Sequence, residues 1–108
     1  MEFMDVFEKN INIGFASGKL HEIITNKQIS TGTVIKFVLE SLYRGGKVNY
    51  IKLTAFGDSA DEILKLDMGE KISCHYRVNS NNDIAVMGKF SRKSGNELVM
   101  SSFSKVVI

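Results

Sequence analysis

Thr33 to Arg44 (TVIKFVLESLYR), Gly45-Gly46 and Val48 to Gly57 (VNYIKLTAFG) decide the fold of this chain. Two runs rich in β-branched and aromatic residues, separated by a two-glycine turn signal, form a β-hairpin. Alternate side chains of a strand leave opposite faces, so Ile35, Phe37 and Leu39 point to one side and Ile51, Leu53 and Ala55 join them as a core face. The other face of the second run carries Tyr50, Lys52, Thr54 and Phe56. Two rings with a lysine between them, on the side that ordinarily meets water, suit a single strand of nucleic acid: rings stack on bases and the cation meets phosphate. The competing reading packs Tyr50 and Phe56 under a loop or in a subunit interface. Alternation by itself leaves both open.

Working outward, Ile11, Ile13 and Phe15 alternate with Asn12, Gly14 and Ala16 as the apolar face of a first strand, with a bend at Gly18. Phe3, Val6 and Phe7 belong to an N-terminal arm, residues 1–10, that sticks to the domain or to a neighbour. After the hairpin comes one helix. Ser59 and Glu62 have capping-box spacing, Asp58 and Asp61 suit the positive end of the helix dipole, Ala60, Ile63 and Leu64 share a face, and Gly69 ends the segment. Lys71 to Val78 is a fourth strand, Asp83 to Phe90 an extension of it or a short extra strand, and Glu97 to Ile108 the last. The predicted order is therefore all-β with one helix, set between the third and fourth strands.

The 108 residues are enough for one domain, 1–108, and too few for two. At 44% hydrophobic and 24% charged, the composition excludes a disordered chain. No run approaches the roughly 20 apolar residues of a membrane span, and Glu2, Asp5 and Glu8 spoil a signal peptide. With a single cysteine, Cys74, a reducing cytoplasm is the expected compartment. The net charge of +2 conceals an uneven distribution. Lys19 to Gly57 holds six bases against two acids, Lys71 onward six against two, and Asp58 to Glu70 one base against five acids. A basic face results if the acidic block folds to another side.

Catalytic chemistry is not expected. Gly14 to Leu20 mimics a phosphate-binding loop but has three residues between its glycines and no Ser or Thr after Lys19. Cys74 and His75 are strand neighbours and point apart, so they cannot share a proton or a metal, and Cys74 reads as a small core residue. Neither a metal site nor a cofactor is expected. Among the remaining aromatics, Tyr43 lies beside Arg44 and Lys47 at the hairpin end, where an exposed ring can stack. Phe90 sits with Lys89, Arg92 and Lys93 at a hairpin tip, a combination that fits a clamp over a nucleic-acid strand. Tyr76 joins Ile72 and Cys74 on the core side.

Three strands, a helix and two strands is the order of the five-stranded, Greek-key OB barrel. Within it, the chain resembles the DNA-binding domain of bacterial and phage single-stranded DNA-binding proteins. Gly18-Lys19-Leu20 is similar to their Gly-Arg-Leu, and Ser30 to Leu39 to their Asn-Gly-x-x-Val-x-x-Phe-x-Leu. Asn49 to Gly57 resembles Asp-Phe/Trp-Ile-x-x-Val-x-Phe-Gly, and Ala60 to Glu70 resembles their helix and its exit.

The resemblance implies that Tyr50 and Phe56 stack on bases and that Lys52 contacts the backbone. Lys19, Lys36, Arg77 and the Lys89/Arg92/Lys93 loop are expected to meet phosphates. The family's assembly implies a homotetramer, with a dimer as the alternative, and replication or recombination proteins as possible partners. Three departures stand out. The Gly45-Gly46 loop is short and lacks a further stacking ring, Tyr76-Arg77 replaces a glycine-containing stretch, and position 83 is aspartate. Without an acidic tail after Ile108, the expectation is a phage-like or tailless member that coats single-stranded DNA in replication or recombination. Two rivals remain: a primosome-type accessory replication protein, and an OB module for protein interaction.

Overall fold

The computed structural model describes residues 12–80 and 96–106. Strands β1 (Gly14–Ile29), β2 (Gly32–Leu42) and β3 (Val48–Phe56) lead into helix α1 (Gly57–Leu64), then β4 (Lys71–Ser80) and β5 (Asn96–Lys105). They close a barrel in the order β1-β2-β3-β5-β4, the OB fold with its helix after the third strand. Every pairing is antiparallel except β3 with β5, which meet in parallel at Thr54 and Val99.

The hairpin forms where the glycines allow it. Gly45 and Gly46 both take positive φ (79° and 81°), and Tyr43 N–H closes the loop on the Lys47 carbonyl at 2.6 Å. Ile35, Phe37, Leu39, Leu53 and Ala55 are fully buried, as alternation requires, while Ile51, expected with them, is only partly buried against the core. Ala60 and Ile63 of α1 complete this core, together with Leu20, Ile72, Cys74 and Met100. Tyr76 packs against it, half-buried.

Strand β1 departs from its expected face. Ile13 and Phe15 are 71% and 59% exposed, whereas Ala16 and Leu20 are buried; Ile11 lies outside the described residues. The reason is space. A Cβ at Gly14 would overlap the Tyr76 ring, and one at Gly18 would stand 2.5 Å from the Glu40 carbonyl oxygen. Only small residues fit the inner face here, because β1 changes partners at this point. It pairs with β4 from Gly14 to Lys19 and with β2 from Lys19 to Ile29. The irregularities lie between Leu20 and Glu22 and between Ile23 and Thr25. They bend the long strand around the barrel, beyond the bend expected at Gly18.

The helix also differs from its expected start. It begins at Gly57, whose φ of +64° turns the chain straight out of β3, and no side chain caps it. Glu62 pairs instead with Lys65 at 3.0 Å. Asp61 accepts a 2.6 Å hydrogen bond from the Thr33 hydroxyl, which in turn accepts one from the Gln28 amide. Leu64 is partly exposed rather than on the core face. The arm 1–10 and the strand expected at 83–90 lie outside the described residues.

Cys74 has no solvent exposure, and burial pushes its thiol up from 9.0 to about 12. Because the folded state holds the neutral thiol more tightly, its contribution to stability is full below pH 9 and is lost as pH rises toward 12. At about pH 10 wild type should have lost on the order of 1 kcal/mol more stability than Cys74→Ala. Urea melts of the two proteins across pH 8 to about 10 check this, and parallel curves would refute it.

Candidate nucleic-acid interface

Residues in register on neighbouring strands share a face, so the ladders of β1, β2 and β3 give the outer surface row by row. Tyr50 stands opposite Glu40, and Glu40 opposite Lys19. Lys52 stands opposite Val38, and Val38 opposite Glu22. Thr54, Lys36 and Thr25 form the next row, and Phe56, Val34 and Lys27 the last. Tyr50 is 60% exposed and Phe56 46%, while the alternate residues Leu53 and Ala55 are buried. The rings are six residues apart on one strand, about 20 Å, too far for one base to span both.

Thr54 breaks the expected pattern. It is 2% exposed because β5 runs beside it, with Val99 as its partner. A groove of about 150 Å³ opens between the strands there, lined by Lys36, Lys52, Thr54, Asn96, Glu97 and Leu98. Two of the lysines expected to meet the nucleic-acid backbone, Lys36 and Lys52, thus line one groove between the rings.

Tyr50 does not stand alone. The His21 imidazole packs on it with ring centroids 4.9 Å apart and planes inclined by 54°. His21 Nδ1 also lies 3.5 Å from Glu40 Oε2. The histidine lies against one side of the Tyr50 ring, and a contact of that kind lowers the ordering cost of any further stacking. Neither His21 nor Lys27 was expected on this surface. Their places follow from β1 running on beyond Gly18 to pair with β2, and the bulge around His21 leaves no mark in the hydrophobic pattern.

The other expected residues separate into three groups. Lys19 is exposed in the Tyr50 row, and Tyr43 is 60% exposed at the hairpin end. Arg77 is exposed on β4, two strands from β3 across β5, with its Nε donating to Asn79 Oδ1 at 3.4 Å. It does not join the rows above. Lys89, Phe90, Arg92 and Lys93 lie outside the described residues. Gly14 to Leu20, the apparent phosphate loop, is part of strand β1. Among the described residues no group of three or more His, Cys, Asp or Glu gathers to hold a metal, and no helix is long and apolar enough to cross a membrane.

No protein-family model and no curated protein sequence matches this chain. Solved structures do. The dimeric N-terminal domain of PriB from Thermoanaerobacter tencongensis is 17% identical, with a TM-score of 0.65 over 90% of this chain and 98% of its own. Rim1, the mitochondrial single-stranded DNA-binding protein of S. cerevisiae, is 15% identical, with a TM-score of 0.67 over 91% and 97%. A small single-stranded DNA-binding protein from Streptomyces coelicolor is 12% identical, with a TM-score of 0.61 over 92% and 96%. At such identities the likeness carries architecture alone, and nearly complete coverage in both directions makes it a likeness of whole domains: this chain has the five-stranded OB barrel that these three proteins share.

Proposed function

We propose that this protein binds single-stranded DNA without sequence preference on the outer face of β1, β2 and β3, and that it coats exposed strands during replication or recombination in a cytoplasm, its own or a host's. The observation that carries this reading is the exposure of Tyr50 and Phe56, 60% and 46%, on a face that also presents Lys36 and Lys52. This is the strand 2–3 surface through which OB barrels bind oligonucleotides. Structural likeness to proteins named for single-stranded DNA supports it. So does likeness to PriB for the accessory-protein variant of the same reading. A gel shift with an oligo-dT and its duplex tests the proposal: preference for the single strand is expected, and binding of neither would leave an interaction module. No catalytic step is assigned to the chain.

Binding of this kind is salt-sensitive. Removing one lysine–phosphate interaction should flatten the plot of log affinity against log salt by about 0.7, so Lys52→Ala and Lys36→Ala should each lower the slope by that amount without moving the melt. An affinity of wild type unchanged between low and moderate salt would remove phosphate recognition from the mechanism.

Self-assembly is part of the proposal, with a tetramer ahead of a dimer. Ile13 and Phe15 are exposed on β1, Phe15 meets only the exposed His75 ring at 5.2 Å among the described aromatics, and the Gly14–Ala16 stretch is paired on one side only within the described ladders. An apolar strand with a free edge can pair with its own copy, and several sites linked on one DNA strand multiply affinity. Light scattering at micromolar concentration should give a multiple of the 12.1 kDa chain, and the mass of one chain would exclude assembly.

A further inference from the structure

The Tyr50 row does not stop at Lys19. Lys19 is the register partner of Glu40 on one side and of Lys71 on the other, so Tyr50, Glu40, Lys19 and Lys71 form one line across β3, β2, β1 and β4. At the usual spacing of neighbouring strands the line runs about 14 Å from Tyr50 to Lys71. Its far end opens into a cleft of about 310 Å³, which Lys19 and Lys71 line together with Ser17, Ser41 and Glu40.

Like charges directly opposite on adjacent strands destabilise a sheet, and Lys19 and Lys71 are such a pair. Neither ammonium group is paired with a carboxylate among the described residues. Glu40, the acid nearest in register, lies against His21 instead, and Glu70 against Lys105. An anion between the lysines would relieve the repulsion, and the serine hydroxyls on the cleft wall can donate to it.

We propose that this cleft is a second phosphate site, holding a backbone phosphodiester of a strand whose base stacks on Tyr50, so that the bound strand crosses the barrel from β3 to β4. The inference rests on the single-stranded DNA reading above and extends it to a surface beyond β2 and β3. It also gives Glu40 a role in limiting that grip, since the residue stands in register between the ring and the two cations.

Fluorescence anisotropy with a long oligo-dT across a salt series tests the proposal on wild type, Lys71→Ala and Glu40→Gln. Lys71→Ala should flatten the salt slope by about 0.7, which corresponds to roughly eightfold weaker binding at about 50 mM salt and convergence with wild type near 1 M. Its melting temperature should be unchanged or higher, because a repulsion has been removed. Glu40→Gln should bind more tightly than wild type at low salt. Wild-type binding with an unaltered slope in Lys71→Ala would overturn the site while leaving the β1–β3 interface standing. Failure of wild type to bind any oligomer would overturn both readings together. Amide spectra separate the two sources of phosphate: the oligomer should shift Ser17, Lys19 and Lys71, and inorganic phosphate shifting them equally at the same concentration would replace the strand path with a free-anion site.

Discussion

Tyr50→Ala and Phe56→Ala are each expected to weaken oligo-dT binding by about 1 to 3 kcal/mol, the worth of one base stacked on one ring, while the folded protein keeps its melting temperature. Both rings lie on the outer face of β3 and neither belongs to the buried core, so truncation leaves no cavity. Surface substitutions of that kind ordinarily change stability by no more than about 0.5 kcal/mol. The rings are about 20 Å apart with no shared partner, so the losses should add, to roughly 2 to 6 kcal/mol in the double variant. His21→Ala removes the support on one side of Tyr50, and its effect should vanish in the Tyr50→Ala background while persisting in Phe56→Ala. Affinities and melts measured on the same preparations check this. Variants that melt as wild type and bind as wild type would remove the face from the mechanism.

Phe37→Ala is expected to do the opposite, costing about 3 to 5 kcal/mol of folding stability and no specific binding interaction. Phe37 has no solvent exposure, stands opposite Leu53 on β3 and Ile23 on β1, and belongs to the core cluster that α1 closes with Ala60 and Ile63. A domain of this size has roughly 5 to 15 kcal/mol in total, so the loss should lower the melting temperature by about 12 °C or more. Binding should fall only in proportion to the unfolded fraction and return on cooling. A melt within a few degrees of wild type would mean that the core does not centre on this ring.

The contrast between Phe37 and Phe56 marks how far the sequence reaches. In β2 and β3 one face is the core and the other is open except at Val38 and Thr54, so a period of two largely separates core from surface, and Phe37 and Phe56 fall on the correct sides without any knowledge of neighbours. The Gly45-Gly46 turn, the order of strands around one helix and the burial of Cys74 follow from equally local chemistry. β1 resists the same reading because its environment is set by strands remote in sequence. The Tyr76 ring and the Glu40 backbone fill the space inside Gly14 and Gly18, and so Phe15 is turned outward. Likewise Thr54 is covered by β5, and Asp61, which looks like a helix-dipole acid, is claimed by the Thr33 hydroxyl.

The candidate site divides in the same way. Tyr50, Lys52 and Phe56 are legible because one strand carries them all at even spacing. The positions of His21 on Tyr50, Lys27 in the Phe56 row and Lys71 beside Lys19 depend on registers among three other strand pairs, and one of those registers shifts at a bulge. By itself the sequence determined which side of β2 and β3 could be core and that Tyr50, Lys52 and Phe56 face outward. Closure of the barrel decided which of those free residues stand together, because register between distant strands is chosen by the packing of the whole core and by no single stretch of chain.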